Sequence, residues 1–183
     1  MDVDECTRTR LHADGGPVLT SMLEFVSGIQ VPEAEWSSYP VRALTEITWL
    51  LLGWDNDLHS YRKEVDEHTS DNNLIEVLRR EHDLSADEAA AEAVAMRDRC
   101  MVLFLRLAER GRRAASAELN TYVDNLGQVI RANNDWGFRA PRYTTAVDST
   151  LATRLAEYSD KPSVGRQDPI TSPVIAWWWD LLE

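Results

Sequence analysis

Three oxygen-bearing side chains recur at four-residue steps in the first half of the sequence, at Asn56, Ser60 and Glu64. With 3.6 residues in each turn of an α-helix, each of these side chains lies only about 40° from the one before, so all three share one face. An amide carbonyl, a hydroxyl and a carboxylate are hard oxygen ligands that suit Mg²⁺, which completes its octahedron with waters and phosphate oxygens. The spacing therefore predicts a magnesium site. The alternative is a solvated polar face, since all three residue types are common on exposed helices.

The residues around this triad favour the metal site. The preceding residues, 50–54, are apolar on every side of the predicted helix, which indicates that the helix is buried. Lys63, next to the last ligand, provides a cation where a diphosphate would need one. The net charge of −12 argues against nucleic acid or an anionic membrane as a partner, because both need a basic surface. An acidic site can still hold a phosphorylated small molecule through bridging metal ions.

Helical patterns dominate the rest of the chain, and no strand-like alternation stands out, so the predicted class is all-α. The predicted helices cover about residues 17–27, 41–66, 70–80, 85–110 and 116–136. Ser85 opens the fourth of these helices with a capping box, and Gly111 stands where a C-cap is expected. Beyond Tyr143 the periodicity is lost until a Trp-rich apolar run near the C-terminus. We therefore divide the chain into a helical domain, 1–145, and a tail, 146–183.

The length of 183 residues suits one compact domain. No apolar run approaches the roughly 18 residues that a membrane span needs, so no membrane partner is expected. The first residues lack the basic and apolar pattern of a signal peptide, and Cys6 and Cys100 lack metal-ligand spacing. These features predict reduced thiols in a cytoplasmic protein.

Segment 56–64, N-D-L-H-S-Y-R-K-E, resembles the N-D-x-x-S-x-x-x-E metal-binding motif of bacterial class I terpene synthases. Segment 71–78 resembles the D-x-H-N-L-V stretch that usually follows in this family, with Asn72 in place of the usual His. Segments 132–136 and 141–143, A-N-N-D-W and P-R-Y, resemble the family's G-N-x-x-W and closing R-Y motifs. These motifs occur in the same order as in the family, so together they point specifically to it. An isolated R-Y pair would carry no information.

The resemblance implies an all-α fold, the later half of the class I terpenoid synthase helical bundle, and Mg²⁺-dependent ionisation and cyclisation of an isoprenyl diphosphate. The triad would hold one Mg²⁺ against the diphosphate, whose oxygens Lys63, Arg142 and Tyr143 would bind. Arg142 and Tyr143 would thereby take part in catalysis. Farnesyl diphosphate is the expected substrate because it is common in the family, with geranyl and geranylgeranyl diphosphate as alternatives.

The family also has a catalytic arginine that senses the diphosphate, at a characteristic distance before the metal-binding motif and near a helix break that ends in an effector glycine. Counting back from the first metal ligand reaches Arg10, which would also bind the diphosphate. Asp14 and Gly15 would then be the linker and effector residues, after a one-residue insertion. Arg8 is the alternative arginine. An ordinary turn before Pro17 explains the Asp-Gly pair nearly as well.

Aromatic residues enter the hypothesis because a carbocation needs a dry, aromatic-lined cavity. Trp49, Trp54 and Trp136 are candidates for that lining, and ordinary core is the alternative for each. The consecutive tryptophans at 177–179 cannot share one helix face, so at least one of them needs a partner outside its own helix. We hypothesise that the tail covers the closing R-Y motif and excludes water, with a plain hydrophobic anchor as the alternative.

The family's aspartate-rich motif, D-D-x-x-D or similar, is missing, because no two aspartates are adjacent anywhere in the sequence. The resemblance covers about residues 5–143, which correspond to the later half of the usual fold. The chain is therefore expected to be truncated, a fragment, or one subunit of a split enzyme. Its expected protein partner is a complementary N-terminal half or a second copy of itself. A non-catalytic remnant or interaction subunit, and an unrelated helical bundle, are the alternatives.

Overall fold

The computed structural model describes residues 1–144, 161–162 and 168–183. Its helices in chain order are α1 (Val3–Ala13), α2 (Gly16–Ser21), α3 (Leu23–Ser27), α4 (Glu33–Trp36), α5 (Tyr39–Asp66), α6 (Leu74–Glu81), α7 (Ala86–Gly111), α8 (Ala117–Arg139), α9 (Pro141–Thr144) and α10 (Trp177–Asp180). A 3₁₀ turn, Ser70–Asn72, precedes α6. These described residues contain no strand, which confirms the all-α prediction. None of these helices has the length and apolar character that crossing a membrane requires.

The long helix α5 lies at the centre, and α1, α2, α6, α7 and α8 all pack against it. Its residues 50–54 are buried, as their apolar character predicted, and Trp54 is inaccessible to solvent. Phe104 of α7 and Leu126 of α8 belong to the same core. The two cysteines are free and also belong to it. This packing fixes the helix that carries the predicted metal ligands.

Side-chain caps set where the main helices begin. The Ser85 hydroxyl accepts from the N–H of Glu88 while the Glu88 carboxylate accepts from the N–H of Ser85, which is the predicted capping box. Asn73 caps α6 with its side-chain oxygen, which accepts from the N–H of Ile75. Gly111 is not the C-cap that its position predicted. It is the last residue of α7, and Arg112 after it keeps a right-handed backbone with φ of −55°, so no left-handed residue is needed there.

The segment 17–27 forms two short helices instead of the one helix predicted. The chain bends at Met22, whose N–H bonds back to two carbonyls in the last turn of α2. The side chains of Val18, Phe25 and Val26 are 66%, 86% and 72% exposed. Within the described part of the chain, no other element covers this apolar surface.

The C-terminal tail packs against the beginning of α5. Trp178 is fully buried, and its Nε1 donates a hydrogen bond to Oε2 of Glu46 at 3.1 Å. Trp177 packs edge-to-face on Tyr39, with ring centroids 6.1 Å apart. The closing R-Y motif instead contacts α5 at Asn56, about 15 Å farther along the helix axis than Glu46. Trp177 and Trp178 therefore do not cover this motif, contrary to the hypothesis, because the core around the start of α5 accepts the buried tryptophan. Residues 145–160 and 163–167 lie outside the described residues.

Candidate metal centre

The three predicted metal ligands lie on α5, which spans Tyr39–Asp66. Their four-residue spacing therefore places Asn56, Ser60 and Glu64 along one face of a real helix. Ser60 is buried, and its Oγ has no hydrogen-bond partner among the residues that the structure describes. A buried hydroxyl without a partner requires an explanation such as an ion or a water. An unsatisfied oxygen between two further oxygen donors fits the ligand set of Mg²⁺.

Tyr143 meets the first of these ligands. The Nδ2 of Asn56 donates a hydrogen bond to the Tyr143 hydroxyl at 2.8 Å. Because this bond uses the amide nitrogen, it leaves the carbonyl oxygen of Asn56 for a metal ion. Arg142 is exposed, and its guanidinium carbon lies 5.0 Å from the centroid of the Tyr143 ring. The structure thus brings the closing R-Y motif to the metal-binding motif.

His59 packs against Tyr143, a contact that the sequence did not indicate. Its ring is stacked with that of Tyr143 at a centroid distance of 6.1 Å and meets Phe138 edge-to-face at 4.6 Å. Its Nε2 lies 2.9 Å from Oδ1 of Asn134. A Cβ atom at Gly137 would collide with the His59 ring, so the close approach requires glycine. The glycine directly after the A-N-N-D-W segment was the available signal for this contact.

Arg10 reaches α5 from α1. Its Nε donates to Oδ2 of Asp57 at 3.0 Å, and its Nη2 bonds to the other oxygen of the same carboxylate. Its Nη1 donates to Asp14 at 3.0 Å. Asp57 is fully buried, and this burial raises the pKa of its carboxyl to about 7, while Arg10 beside it acts in the opposite direction. Arg8, the alternative arginine, is exposed, so Arg10 is the arginine of α1 that faces the triad helix.

The helix break that the resemblance implies lies between α1 and α2. Asp14 ends α1, and Gly15 has a left-handed backbone with φ of 74°, a conformation that favours glycine. The Asp14 carboxylate packs against Gly53, where an added Cβ atom would lie 2.7 Å from Oδ2. Burial raises the pKa of Asp14. The break therefore positions Asp14 against Gly53 of α5, which lies about one helical turn before Asn56.

Asn73 bonds to α5 from the beginning of α6. Its Nδ2 donates to the backbone carbonyl of Asp57 at 2.9 Å and to Oε2 of Glu64 at 3.0 Å. Its Oδ1 accepts from the N–H of Ile75 at 3.0 Å. The segment that contains Asn73 matched a family motif in sequence, but neither Asn73 nor Asp57 was predicted as a site residue. Both act on the site through contacts that sequence spacing does not reveal.

Lys63 lies seven residues after Asn56, so the two positions differ by only about 20° around α5. Its Nζ forms an ion pair with Glu67 at 3.3 Å, and both side chains are partly exposed. Within the described residues, no hydrogen bond or ion pair joins Lys63 to the triad. Its predicted contact with a diphosphate is therefore not preformed in this structure.

The three candidate aromatic residues have different environments. Trp136 is half exposed and packs edge-to-face on Tyr143 at a centroid distance of 5.6 Å. Trp54 is part of the core, and Trp49 donates a hydrogen bond to Thr20 at 2.8 Å. Trp136 is therefore the aromatic candidate that lies beside the R-Y motif.

A family model described as terpene synthase family 2, C-terminal metal binding, matches residues 1–102. The chain belongs to the terpene synthase family. This confirms the resemblance that the motifs carry, and it agrees with a metal-binding domain built around α5. The matched residues include α1 and the whole metal-binding motif, but not the R-Y motif.

Individual terpene synthases match nearly the whole chain. Spiroviolene synthase from Streptomyces violens is 38% identical over 181 residues, which cover 97% of this chain and 50% of that protein. (+)-T-muurolol synthase ((2E,6E)-farnesyl diphosphate cyclizing) from Streptomyces clavuligerus is 37% identical and covers 100% of this chain and 44% of that protein. The crystal structure of the SVS_A2 protein from ancestral sequence reconstruction superposes with a TM-score of 0.80 at 35% identity, covering 98% of this chain and 50% of that one. The chain thus spans about half the length of these relatives.

Proposed function

We propose that this chain supplies the metal-binding and diphosphate-binding half of a terpene synthase that ionises and cyclises an isoprenyl diphosphate. The observation that carries the proposal is the buried Oγ of Ser60, which has no hydrogen-bond partner among the described residues and lies between Asn56 and Glu64 on one face of α5. Arg10 and Tyr143, from distant parts of the chain, bond to the same stretch of α5. Family membership supports this chemistry.

The donor atoms of the triad suit Mg²⁺. The Asn56 nitrogen is bonded to Tyr143 and one Glu64 oxygen is bonded to Asn73, which leaves one oxygen on each side chain for the ion. Mg²⁺, when bound, supplies positive charge that stabilises the departing diphosphate. The helix carries all three side chains along one face, and the bonds from Tyr143 and Asn73 restrain two of them before the ion binds.

The diphosphate is proposed to bind beside the triad through cationic and hydroxyl donors. Arg10 contributes a positive charge that Asp57 and Asp14 hold beside the triad, and Tyr143, which accepts from Asn56, still has its own O–H to donate. Arg142 and Lys63 extend this set toward solvent. Such hydrogen bonds strengthen as negative charge develops on the leaving group, which favours ionisation. Asp14 and Gly15, at the helix break, are proposed to connect Arg10 to the hydrocarbon part of the substrate.

The substrate is proposed to be farnesyl diphosphate, because the name of the muurolol synthase relative includes farnesyl diphosphate cyclisation. The partner is proposed to be a complementary half that supplies the aspartate-rich motif, since the chain covers about half of each relative. The apolar surface formed by Val18, Phe25 and Val26 also favours a second candidate function. In that alternative the chain is a non-catalytic interaction subunit.

Substitution of Glu64 tests the catalytic proposal. The chain is fused to the earlier half of (+)-T-muurolol synthase, and Mg²⁺-dependent turnover of farnesyl diphosphate is measured with helicity as a control. Glu64→Ala is expected to abolish turnover while leaving helicity intact. The matched control, Glu67→Ala, removes an exposed carboxylate one turn farther on and should retain turnover. Equal turnover in the Glu64→Ala fusion and the unsubstituted fusion would contradict the proposal.

A further inference from the structure

Asn73 has every hydrogen-bonding group of its side chain in use, although it is completely buried. One N–H of its amide bonds to the carbonyl of Asp57 and the other to the carboxylate of Glu64. The amide oxygen accepts from the N–H of Ile75 and so caps α6. The residue is therefore both a helix cap and a bridge from α6 to the metal-binding helix.

The bridge ends on a carboxylate that is otherwise unrestrained. Glu64 is partly exposed and lies two residues before Asp66, the last residue of α5 (Tyr39–Asp66), in a polar stretch. Among the described residues, no other side chain forms a hydrogen bond or ion pair with its carboxylate. Without Asn73 the side chain would be free to sample several rotamers in solvent. The 3.0 Å bond selects one of them.

The other end of the bridge is rigid. Leu74 and Ile75, which follow Asn73 in α6, are both inaccessible to solvent and belong to the core. The bond to the Asp57 carbonyl fixes the amide against the α5 backbone. The position of the Glu64 carboxylate is therefore set by the packed core and not by the exposed end of its own helix.

We propose that Asn73 is a positioning residue that holds Glu64 in the rotamer from which its second carboxylate oxygen binds the metal ion. The inference rests on the proposed function, since it takes Glu64 as a metal ligand. Hydrogen bonds to metal-binding carboxylates orient the ligand before the ion arrives, and their loss typically weakens metal affinity about 10–100-fold. A residue that only capped α6 would affect stability and leave metal affinity unchanged.

Two substitutions separate positioning from capping. Asn73→Ser keeps an oxygen that can cap α6 but is too short to reach Glu64. Asn73→Asp keeps the shape and the cap, and replaces the N–H donor with a carboxylate that repels Glu64. Ser85→Ala is the matched control, because it removes the cap of α7 without touching the site. Glu64→Ala tests whether Glu64 belongs to the metal site, as the proposed function requires.

The measurement is a titration of the full 183-residue chain with Mn²⁺ in the presence of inorganic diphosphate, followed by electron paramagnetic resonance. Mn²⁺ suits the same oxygen ligands as Mg²⁺. Both Asn73 variants are expected to bind Mn²⁺ about 10-fold more weakly or worse, and Ser85→Ala as tightly as the unsubstituted chain. Circular dichroism identifies the folded variants. If Asn73→Ser does not fold, the Mn²⁺ affinity of Asn73→Asp decides between positioning and capping.

The outcomes distinguish the inference from the function on which it rests. Unchanged Mn²⁺ affinity in a folded Asn73 variant, together with loss of binding in Glu64→Ala, would overturn the inference alone. Tight binding by Glu64→Ala, or no binding by the unsubstituted chain, would overturn the proposed metal site. Weaker binding in Ser85→Ala equal to that in Asn73→Ser would also overturn the inference, since helix stability would then explain both.

Discussion

The side-chain nitrogen of Asn56 lies 2.8 Å from the hydroxyl oxygen of Tyr143 and donates a hydrogen bond to it across 87 residues of sequence. The bond orients the Asn56 amide, because the nitrogen must face the tyrosine and the carbonyl oxygen must then face away. A proposed metal ligand and a proposed diphosphate-binding residue are thus fixed by the same contact. The aromatic neighbours of Tyr143, among them His59 and Trp136, hold its ring in place.

Removal of the Tyr143 hydroxyl should therefore lower turnover strongly and the free energy of unfolding only slightly. In the fusion with the earlier half of a relative, Tyr143→Phe is expected to lower Mg²⁺-dependent turnover about 10-fold or more, because a donor to developing charge is lost. The free energy of unfolding of the chain should fall by only about 1 kcal/mol, the usual net value of one hydrogen bond. Steady-state kinetics and urea unfolding measure the two effects.

Tyr39→Phe is the control for this substitution, because Tyr39 is an exposed tyrosine at the start of α5, where Trp177 of the tail packs, and not at the metal-binding motif. It should change neither quantity. Equal turnover of Tyr143→Phe and Tyr39→Phe would remove Tyr143 from the diphosphate site.

The sequence predicted those features that depend on local spacing. The register of Asn56, Ser60 and Glu64 follows from helix geometry once residues 39–66 form one helix, and the capping box at Ser85 is a four-residue pattern. The apolar residues 50–54 were correctly predicted to be buried.

Features that depend on long-range packing were missed. Asn73 contacts Glu64 only because the 3₁₀ turn folds α6 back onto α5, and sequence spacing carries no signal for that arrangement. The bend at Met22 and the position of the tail likewise depend on which surfaces are available for packing. Tertiary contacts override local pattern at these points.

The buried pair of Arg10 and Asp57 gives a second prediction. At pH 8, above the pKa of about 7 that burial gives Asp57, Asp57→Asn should lower the free energy of unfolding by about 3 kcal/mol. The reason is that the amide keeps only one acceptor oxygen and no negative charge for Arg10, at a position that is fully buried. Mn²⁺-dependent binding of inorganic diphosphate should weaken as well, because Arg10 is then no longer held beside the triad.

A second buried ion pair provides the control for this prediction. Asp55 pairs with Arg97 at 2.8 Å and is as inaccessible as Asp57, but within the described residues neither partner bonds to the triad. Asp55→Asn should cost similar stability and leave diphosphate binding unchanged. Equal losses of diphosphate binding in both variants would mean that Asp57 acts only through stability.

The exposed apolar surface of α2 and α3 predicts that the isolated chain self-associates. Val18, Phe25 and Val26 are at least 66% exposed and lie close together in sequence. Apolar side chains this exposed on two consecutive short helices indicate an interaction site or an aggregation liability. Sedimentation velocity should detect oligomers of the unsubstituted chain, and the double variant Phe25→Ser, Val26→Ser should be mostly monomeric.

Leu105→Ser is the control for self-association. It changes an exposed apolar residue of α7 and should not reduce association. A monomeric unsubstituted chain with low binding of a hydrophobic dye would contradict this prediction.

The buried tail gives the last prediction, because stability and product distribution should respond to different tryptophans. Trp178 is fully buried and bonded to Glu46, so Trp178→Ala should lower the free energy of unfolding by about 3–5 kcal/mol. The ratio of products made by the fusion enzyme should stay the same, since Trp178 bonds to Glu46, about 15 Å along the axis of α5 from Asn56. Trp136 is half exposed and packs on Tyr143, so Trp136→Ala should have the reverse effect, with little loss of stability and more water-quenched alcohol products. Urea unfolding and gas chromatography of the products measure the two responses. An increase in alcohol products from Trp178→Ala would mean that the tail shields the site from water in addition to anchoring the chain.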